Sequence, residues 1–409
     1  MTQLDRRRFL LASGVAGGAA VLAGSGVVTW RSLQDAAASR PLPAGQQVLV
    51  VLTLYGGNDG LNTLVPYADP AYRSARPELA YPAEKVLKLD SELGLNPALA
   101  GFAGLWKAGR LAIVRGVGYP QPDHSHFRSM DIWQTASPAE PVNTGWIGRW
   151  LDATGDDPLR ALNIGAVLPP LAMGGRASAA ALPLGARRTV PAALTRGLTA
   201  LGTPEPADSA SRALVRASYA AEQLVQASLA TAGGTPEPGD QESPAGSAGG
   251  QGSLADQLAV VARCIGAGVP TRVYSVSQGG FDTHADELDA QQNALGAVDK
   301  AVTGFLGAVA ATPHGAGVTV LVYSEFGRRV QANASQGTDH GTAGPVFVAG
   351  PRVRGGFYGD QPSLTDLADG DLKVTTDFRA VYAELLAKVL GSDPGRVLGP
   401  LPGAPIGFL

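Results

Sequence analysis

Short, almost wholly apolar runs alternate with longer stretches whose apolar positions recur at helical spacing, and this alternation predicts an α/β protein. Gln47 to Tyr55 reads as a strand buried on both faces, since it lacks the apolar-polar alternation of a half-exposed one. Leu111 to Val117, Ala161 to Val167, Val273 to Val276, Val318 to Tyr323 and Val346 to Ala349 read as further strands. Helices are expected over Asn96 to Gly109, with Leu99, Phe102 and Leu105-Trp106 on one face, and over Gly145 to Leu151, Leu254 to Gly266 and Thr376 to Leu390. Between His284 and Thr312, Leu288, Leu295, Val298, Val302, Phe305, Leu306 and Val309 follow a helical period, as a crossover helix packed on a sheet does.

Other stretches lack such a period. Tyr67 to Leu95 is rich in Pro, Tyr and Arg and reads as a surface excursion, and Ala177 to Pro206 has no clear repeat. Ser209 to Ala232 reads as helical, while Gly233 to Gly252 holds too little apolar area to offset its chain entropy and is expected to be a mobile insertion. At the N-terminus, Asp5-Arg6-Arg7-Arg8-Phe9-Leu10 precedes a weakly apolar, glycine-rich stretch from Leu11 to Val28, and Ala36-Ala37-Ala38 supplies small residues for cleavage. Paired arginines before a weakly hydrophobic stretch predict a twin-arginine export signal over residues 1–38, passed by the twin-arginine translocase. The same stretch is long enough for a membrane helix, but its many glycines argue against one. Residues 39–409 are then one exported domain, periplasmic or secreted, with no membrane span after signal removal.

With 409 residues, 45% hydrophobic and 16% charged, the chain can bury a sizeable core. A net charge of -3, a pI near 6.0 and the lack of a basic stripe beyond the N-terminus argue against nucleic acid as a partner. The single Cys264 cannot form an intramolecular disulfide and reads as a small buried apolar residue.

Chemistry collects where the strands end. The first strand runs into Gly56-Gly57-Asn58-Asp59-Gly60, which is either a site for Asp59 or an ordinary Asn-Asp-Gly turn. The second leads to Asp123-His124-Ser125-His126-Phe127-Arg128. There Ser125 stands at a strand-to-helix junction, either as a nucleophile beside the helix N-terminus or as its N-cap. Later strands deliver Asp282-Thr283-His284 and Ser324-Glu325-Phe326-Gly327-Arg328, and Asp339-His340-Gly341 precedes the last. Four of the five histidines, 124, 126, 284 and 340, lie beside strand ends. With Asp59, Asp282 and Glu325 they make a mixed oxygen and nitrogen set that suits zinc, manganese or iron better than calcium, whereas magnesium leans on carboxylates and water. The plainer alternative is carboxylates capping loops and histidines bonded to backbone.

The series Leu54-Tyr55-Gly56-Gly57-Asn58-Asp59-Gly60-Leu61-Asn62, Ser125-His126-Phe127 with Trp133-Gln134-Thr135, Phe281-Asp282-Thr283-His284, Ser324-Glu325-Phe326-Gly327-Arg328 and Asp339-His340-Gly341, behind a twin-arginine leader, resembles the bacterial exported family called domain of unknown function fifteen-oh-one. The resemblance spans nearly the whole mature chain. It implies the wider alkaline phosphatase and sulfatase-like clan, with a doubly wound, mostly parallel α/β sheet, helices on both faces and one or two divalent ions (zinc, manganese or magnesium). Carried across, Asp59, Asp282, His284, Glu325 and His340 resemble metal ligands, and Ser125 takes roughly the place of the nucleophile. There are departures. Asp282 and His284 are closer in sequence than the clan's phosphatases space them, Phe326 stands where a histidine ligand often does, and no cysteine lies near Ser125. The resemblance thus implies an exported, metal-dependent hydrolase of small anionic phosphate or sulfate esters, with Ser125 or a metal-bound water attacking. Arg128 and Arg328 would grip the anion, and His126 would act as acid, base or further ligand. The alternative is a non-catalytic envelope protein that keeps the fold, and perhaps one ion, for binding.

Overall fold

The computed structural model describes residues 28–155, 157–165, 167–184, 252–401, 403 and 405–409. The paired arginines, the expected helix at Ser209 to Ala232 and nearly all of the Gly233 to Gly252 tract lie outside these.

A nine-stranded sheet forms the centre. Its strands are β1 (Val48–Leu54), β2 (Leu111–Gly118), β3 (Ala161–Ile164), β4 (Ala180–Leu182), β5 (Val273–Gln278) and β6 (Val318–Ser324). After a small hairpin of β7 (Arg328–Ala332) and β8 (Thr338–His340) come β9 (Gly344–Ala349) and β10 (Gly356–Tyr358). The order is β10-β2-β9-β6-β1-β5-β3-β4, with the short strand Thr376–Asp377 pairing β2 off this path. β1 pairs in parallel with both β5 and β6, and among the described strands of this sheet only β9 runs antiparallel.

Every residue of β1 is buried, as its unbroken apolar run requires of a central strand covered on both faces. Alternate side chains serve opposite cores. Leu49 and Val51 join Trp133, Trp146, Trp150, Phe378 and Tyr382 on one face, beneath α3 (His126–Thr135), α4 (Trp146–Thr154) and α7 (Phe378–Lys388). Val48, Val50 and Leu52 join Phe102, Val261, Leu295, Val298, Val302 and Phe305 on the other, beneath α2 (Ala100–Lys107), α5 (Leu254–Gly266) and α6 (Glu287–Ala310). The sheet is therefore doubly wound, with helices on both faces. Asp299, on the buried side of α6, accepts from the backbone N–H groups of Gly101 (2.9 Å) and Phe102 (2.8 Å) and so caps α2 from outside the helix.

Two stretches differ from expectation. Residues 67–95, expected as a surface excursion without a period of its own, hold regular structure: Pro70–Ala75 is helical, and Leu64–Val65, Leu87–Lys88 and Gly94–Leu95 form a three-stranded sheet. Tyr72 and Arg76 are fully buried there, because their polar ends find partners inside: Tyr72 bonds Asn62 Oδ1 at 2.7 Å and Arg76 pairs with Asp59. The small residues 36–38 lie within α1 (Trp30–Ser39), whose Leu33 is 0% exposed against the core beneath α5. No described helix is long and apolar enough to cross a membrane. Cys264 is buried, and that burial pushes its thiol up to about 12, so it is packing rather than a nucleophile.

Candidate functional site

β1, β2, β5 and β6 end at one edge of the sheet, and antiparallel β9 begins there, which is where ligands meet open α/β sheets. Three side chains converge at that edge: His126 from the first turn of α3, Asp282 from the loop after β5, and His340 at the end of β8. One ligand atom from each lies within 4.8 Å of the others. Asp282 Oδ2 is 3.5 Å from His126 Nε2, and Asp282 Oδ1 is 3.2 Å from His340 Nε2. His284 joins from the outer side, its Nε2 3.0 Å from Asp282 Oδ1 and 2.9 Å from His340 Nε2. Asp282 is 49% exposed, so the cluster opens to solvent.

Hydrogen bonds at the back of each ring decide which nitrogen carries the proton. The His124 carbonyl can only accept, so His340 Nδ1, 2.7 Å away, carries hydrogen and Nε2 presents its lone pair to Asp282. Glu325 does the same for His126. Its buried Oε1 lies 2.8 Å from Nδ1 and also accepts from Gly56 N–H, while Oε2 faces the Ser324 hydroxyl. Among the described residues His126 Nε2 is then left buried with no hydrogen-bond partner. Burial pulls the basicity of His126 down, but the Glu325 hydrogen bond and charge and the Asp282 charge outweigh it and raise it overall. Burial lowers His340, as do the nearby charges of His126 and Arg328, against the hydrogen bond to the His124 carbonyl and the neighbouring Asp282 carboxylate. Asp282 is held below the usual carboxylate range: its burial works the other way, but the hydrogen bond and charge of Arg328 prevail.

The residues singled out from sequence separate into three groups. Asp282, His126, His284 and His340 meet. Glu325 and Arg328 stand behind them. Glu325 orients His126 rather than joining the cluster directly, and the fully buried Arg328 guanidinium is spent internally. It bonds the carbonyls of Gly57 (2.6 Å), Gly56 (2.5 Å), Phe281 (3.1 Å) and Thr338 (2.9 Å), and Asp282 Oδ1 (2.6 Å). It positions Asp282 and has no donor turned outward to grip an anion; it is not solvated on the surface either. Asp59, Arg128 and Ser125 stand apart. Asp59 is 0% exposed, pairs with Arg76 and accepts from Leu61 N–H at 3.2 Å, so its oxygens are taken and an arginine occupies the place of a cation. Arg128 pairs with Asp131 at 2.8 Å. Ser125 is at the N-cap position of α3 but makes no cap bond; its hydroxyl has no hydrogen-bond partner among the described residues.

Sequence reasoning missed Arg76, whose neighbourhood carries no local signal, and Phe326 as a wall. The Phe326 ring packs at 4.8 Å from the His126 ring and 5.0 Å from the His340 ring, filling the place where a histidine was looked for.

The fold and the site together define an α/β protein with an open imidazole and carboxylate cluster at the carboxyl edge of a mostly parallel sheet. Residues 181–408, more than half of the chain, match the family described as Protein of unknown function (DUF1501), and the chain belongs to that family. Asp282, His284, Glu325, Arg328 and His340 fall inside the match; Asp59 and the segment around Ser125 precede it. Among solved structures it is similar to a protein in the alkaline phosphatase superfamily from Vibrio parahaemolyticus (11% identity, 94% of this chain and 81% of that one, TM-score 0.42). It is also similar to a 2-O GAG sulfatase (13% identity, 76% of this chain and 65% of that one, TM-score 0.31). A third is the lipoteichoic acid synthase LtaP from Listeria monocytogenes (8% identity, 93% of this chain and 80% of that one, TM-score 0.36). No curated protein matches the chain.

Proposed function

We propose that this protein is an exported, metal-dependent hydrolase of phosphate or sulfate esters with a single divalent ion at the cluster. One observation carries the reading: two imidazoles, each with an acceptor behind its Nδ1, turn their Nε2 atoms on the two oxygens of one carboxylate. Neutral imidazoles so placed set acceptor against acceptor unless a cation lies between them, and among the described residues His126 Nε2 is buried without a hydrogen-bond partner, Asp282 Oδ2 standing 3.5 Å away. Nitrogen and oxygen ligands of one zinc, each about 2.0–2.2 Å from it, sit roughly 3 to 3.5 Å apart. The His284–His340, His284–Asp282, His340–Asp282 and His126–Asp282 separations, 2.9 to 3.5 Å, fit that. Asp282, His126 and His340 would hold the ion, with His284 at its open side, and the donor set suits zinc or manganese. When bound, the ion supplies Lewis acidity toward an ester oxygen and makes a hydroxyl or water a better nucleophile at neutral pH. Glu325 and Arg328 keep the ligands from turning away, and Ser125, one residue before His126 and with its hydroxyl unpartnered among the described residues, is the protein nucleophile available to attack.

Elemental analysis and ester hydrolysis of the purified protein test this together. A stoichiometric divalent ion, turnover of aryl phosphate or sulfate, and loss of both in His340→Ala are expected. Loss of turnover with retention of the ion in Ser125→Ala assigns the serine; unchanged turnover assigns water. A second reading, an envelope protein that holds the ion for stability or for binding a partner, is favoured by the internal commitment of Arg128 and Arg328, which leaves neither free for an anion. Metal retained without hydrolysis of any ester would select it, and absence of metal would end the first reading.

A further inference from the structure

Asp371 lies on the short strand Asp371–Leu372, far in sequence from every residue of the site, and is 3% exposed. Its Oδ2 is 2.7 Å from His124 Nε2. A carboxylate accepts, so that nitrogen carries hydrogen. The His124 side chain is 46% exposed, and this bond is the one hydrogen bond its ring makes among the described residues. The backbone carbonyl of the same residue receives His340 Nδ1–H at 2.7 Å, the bond that leaves His340 Nε2 free for a cation. The same short strand also holds the chain just after His340: the hydroxyl of Thr342 donates to the Leu372 carbonyl. Asp371 does this at a cost, because among the described residues its Oδ1 is buried without a hydrogen-bond partner, Arg329 Nε standing 3.6 Å away.

We propose that Asp371 is a positioning residue for the metal centre, acting through His124 to fix the tautomer and direction of the His340 imidazole. The inference rests on the metal reading above. Outer partners of this kind orient histidine ligands, and their loss typically costs about 10–100-fold in metal affinity. His124, grouped in the sequence with the strand-end histidines, thus works through its backbone.

Calorimetric zinc titration of chelator-stripped protein tests the relay. Asp371→Ala is expected to weaken zinc about 10–100-fold. Asp371→Asn, whose amide oxygen still accepts from His124, should recover most of that loss, and Arg329→Ala, which removes the other neighbour of Asp371, should change nothing. Should Asp371→Ala fail to fold, His124→Ala at the exposed end of the relay gives the same readout. Wild-type affinity in a folded Asp371→Ala or His124→Ala variant overturns the proposal. If the wild-type protein takes up no zinc, the metal reading falls, and the imidazole nitrogen shifts of His340 in the metal-free protein still decide the relay. An Nδ1–H tautomer lost on Asp371→Ala supports it; an unchanged one refutes it.

Discussion

Arg76 carries a full charge with no exposed surface, and its guanidinium is shared between Asp59 and the carbonyls of Val330 (2.9 Å) and Arg329 (2.7 Å). Breaking such a pair strands a charge in the core, which costs about 3–5 kcal/mol, whereas removing both partners costs less than the sum. Arg76→Met is therefore expected to lower the urea midpoint sharply, and Arg76→Met with Asp59→Asn to restore part of it; additive losses would show that the two do not interact. Glu287 adds a third ionisable group to the same buried spot. Thr338 donates to its Oε2 at 2.5 Å, and among the described residues Oε1 has no hydrogen-bond partner. Burial, and after it the charge of Asp59, push Glu287 from a usual value of 4.5 to about 9, so it keeps a proton that Asp59 can share. Asp59 moves the other way: burial raises it, but the charge of Arg76, with hydrogen bonds from Glu287 and Arg76, lowers it overall. The signs follow from linkage. The contribution of neutral Glu287 is complete below 4.5 and is lost as pH rises toward about 9, while that of Asp59 is present above its usual value of 3.8 and lost in acid. Urea midpoints measured from pH 6 to pH 10 should fall for the wild type and stay nearly level for Glu287→Gln; parallel curves would contradict a retained proton.

At the scale of elements, the site depends on how closely the β1 turn can approach the loops after β5 and β6. Gly56 has φ +118° and Gly57 φ +66°, in the region that favours glycine. A Cβ on Gly57 would run into the Phe326 ring that backs His126 and His340, and one on Gly56 would meet the Phe281 carbonyl carbon at 2.8 Å beside Asp282. Gly57→Ala is expected to cost about 1–3 kcal/mol and to loosen the ion along with the fold. Melting temperature and metal content, measured on one sample, check this, and an unchanged metal content would separate the turn from the site. The elements themselves were largely legible. β1, β2, β5, β6, α5 and α6 fall within a few residues of the apolar runs that announced them, since a strand covered on both faces needs an unbroken run and a crossover helix needs one apolar stripe. The fold of residues 67–95 was not legible. What orders it is the pairing of Tyr72 and Arg76 with residues of another turn, and no local pattern reports such a partner.

For the whole molecule, the described segment before residue 40 is part of the packed core. Leu33 is buried beneath α5, and the Trp30 ring lies 4.3 Å from the Arg263 guanidinium carbon, so cleavage after Ala38 would strip α1 from the folded domain. We propose that any signal cleavage falls upstream of Trp30. A chain beginning at residue 39 should lose on the order of 3 kcal/mol relative to one beginning at residue 28, from burial of Leu33 and its neighbours. Denaturation of the two, with mass spectrometry of the mature N-terminus, checks it, and a mature terminus at residue 39 would refute it. A bound ion also stabilises by mass action. Zinc at a hundredfold excess over its dissociation constant should add about 2.7 kcal/mol, and none in His340→Ala.

From the letters alone came the α/β class, the order of its main strands and helices, the strand ends where chemistry gathers, and the histidines and Asp282 that meet there, because burial periodicity and residue type are local properties. Three-dimensional packing alone decided the division of labour: Asp282 and three imidazoles face one another, Glu325 and Arg328 brace them, and Asp59 is neutralised by Arg76. A carboxylate or guanidinium acts as ligand, brace or buried counter-ion according to which charge stands opposite it, and those opposing charges come from segments distant in the chain.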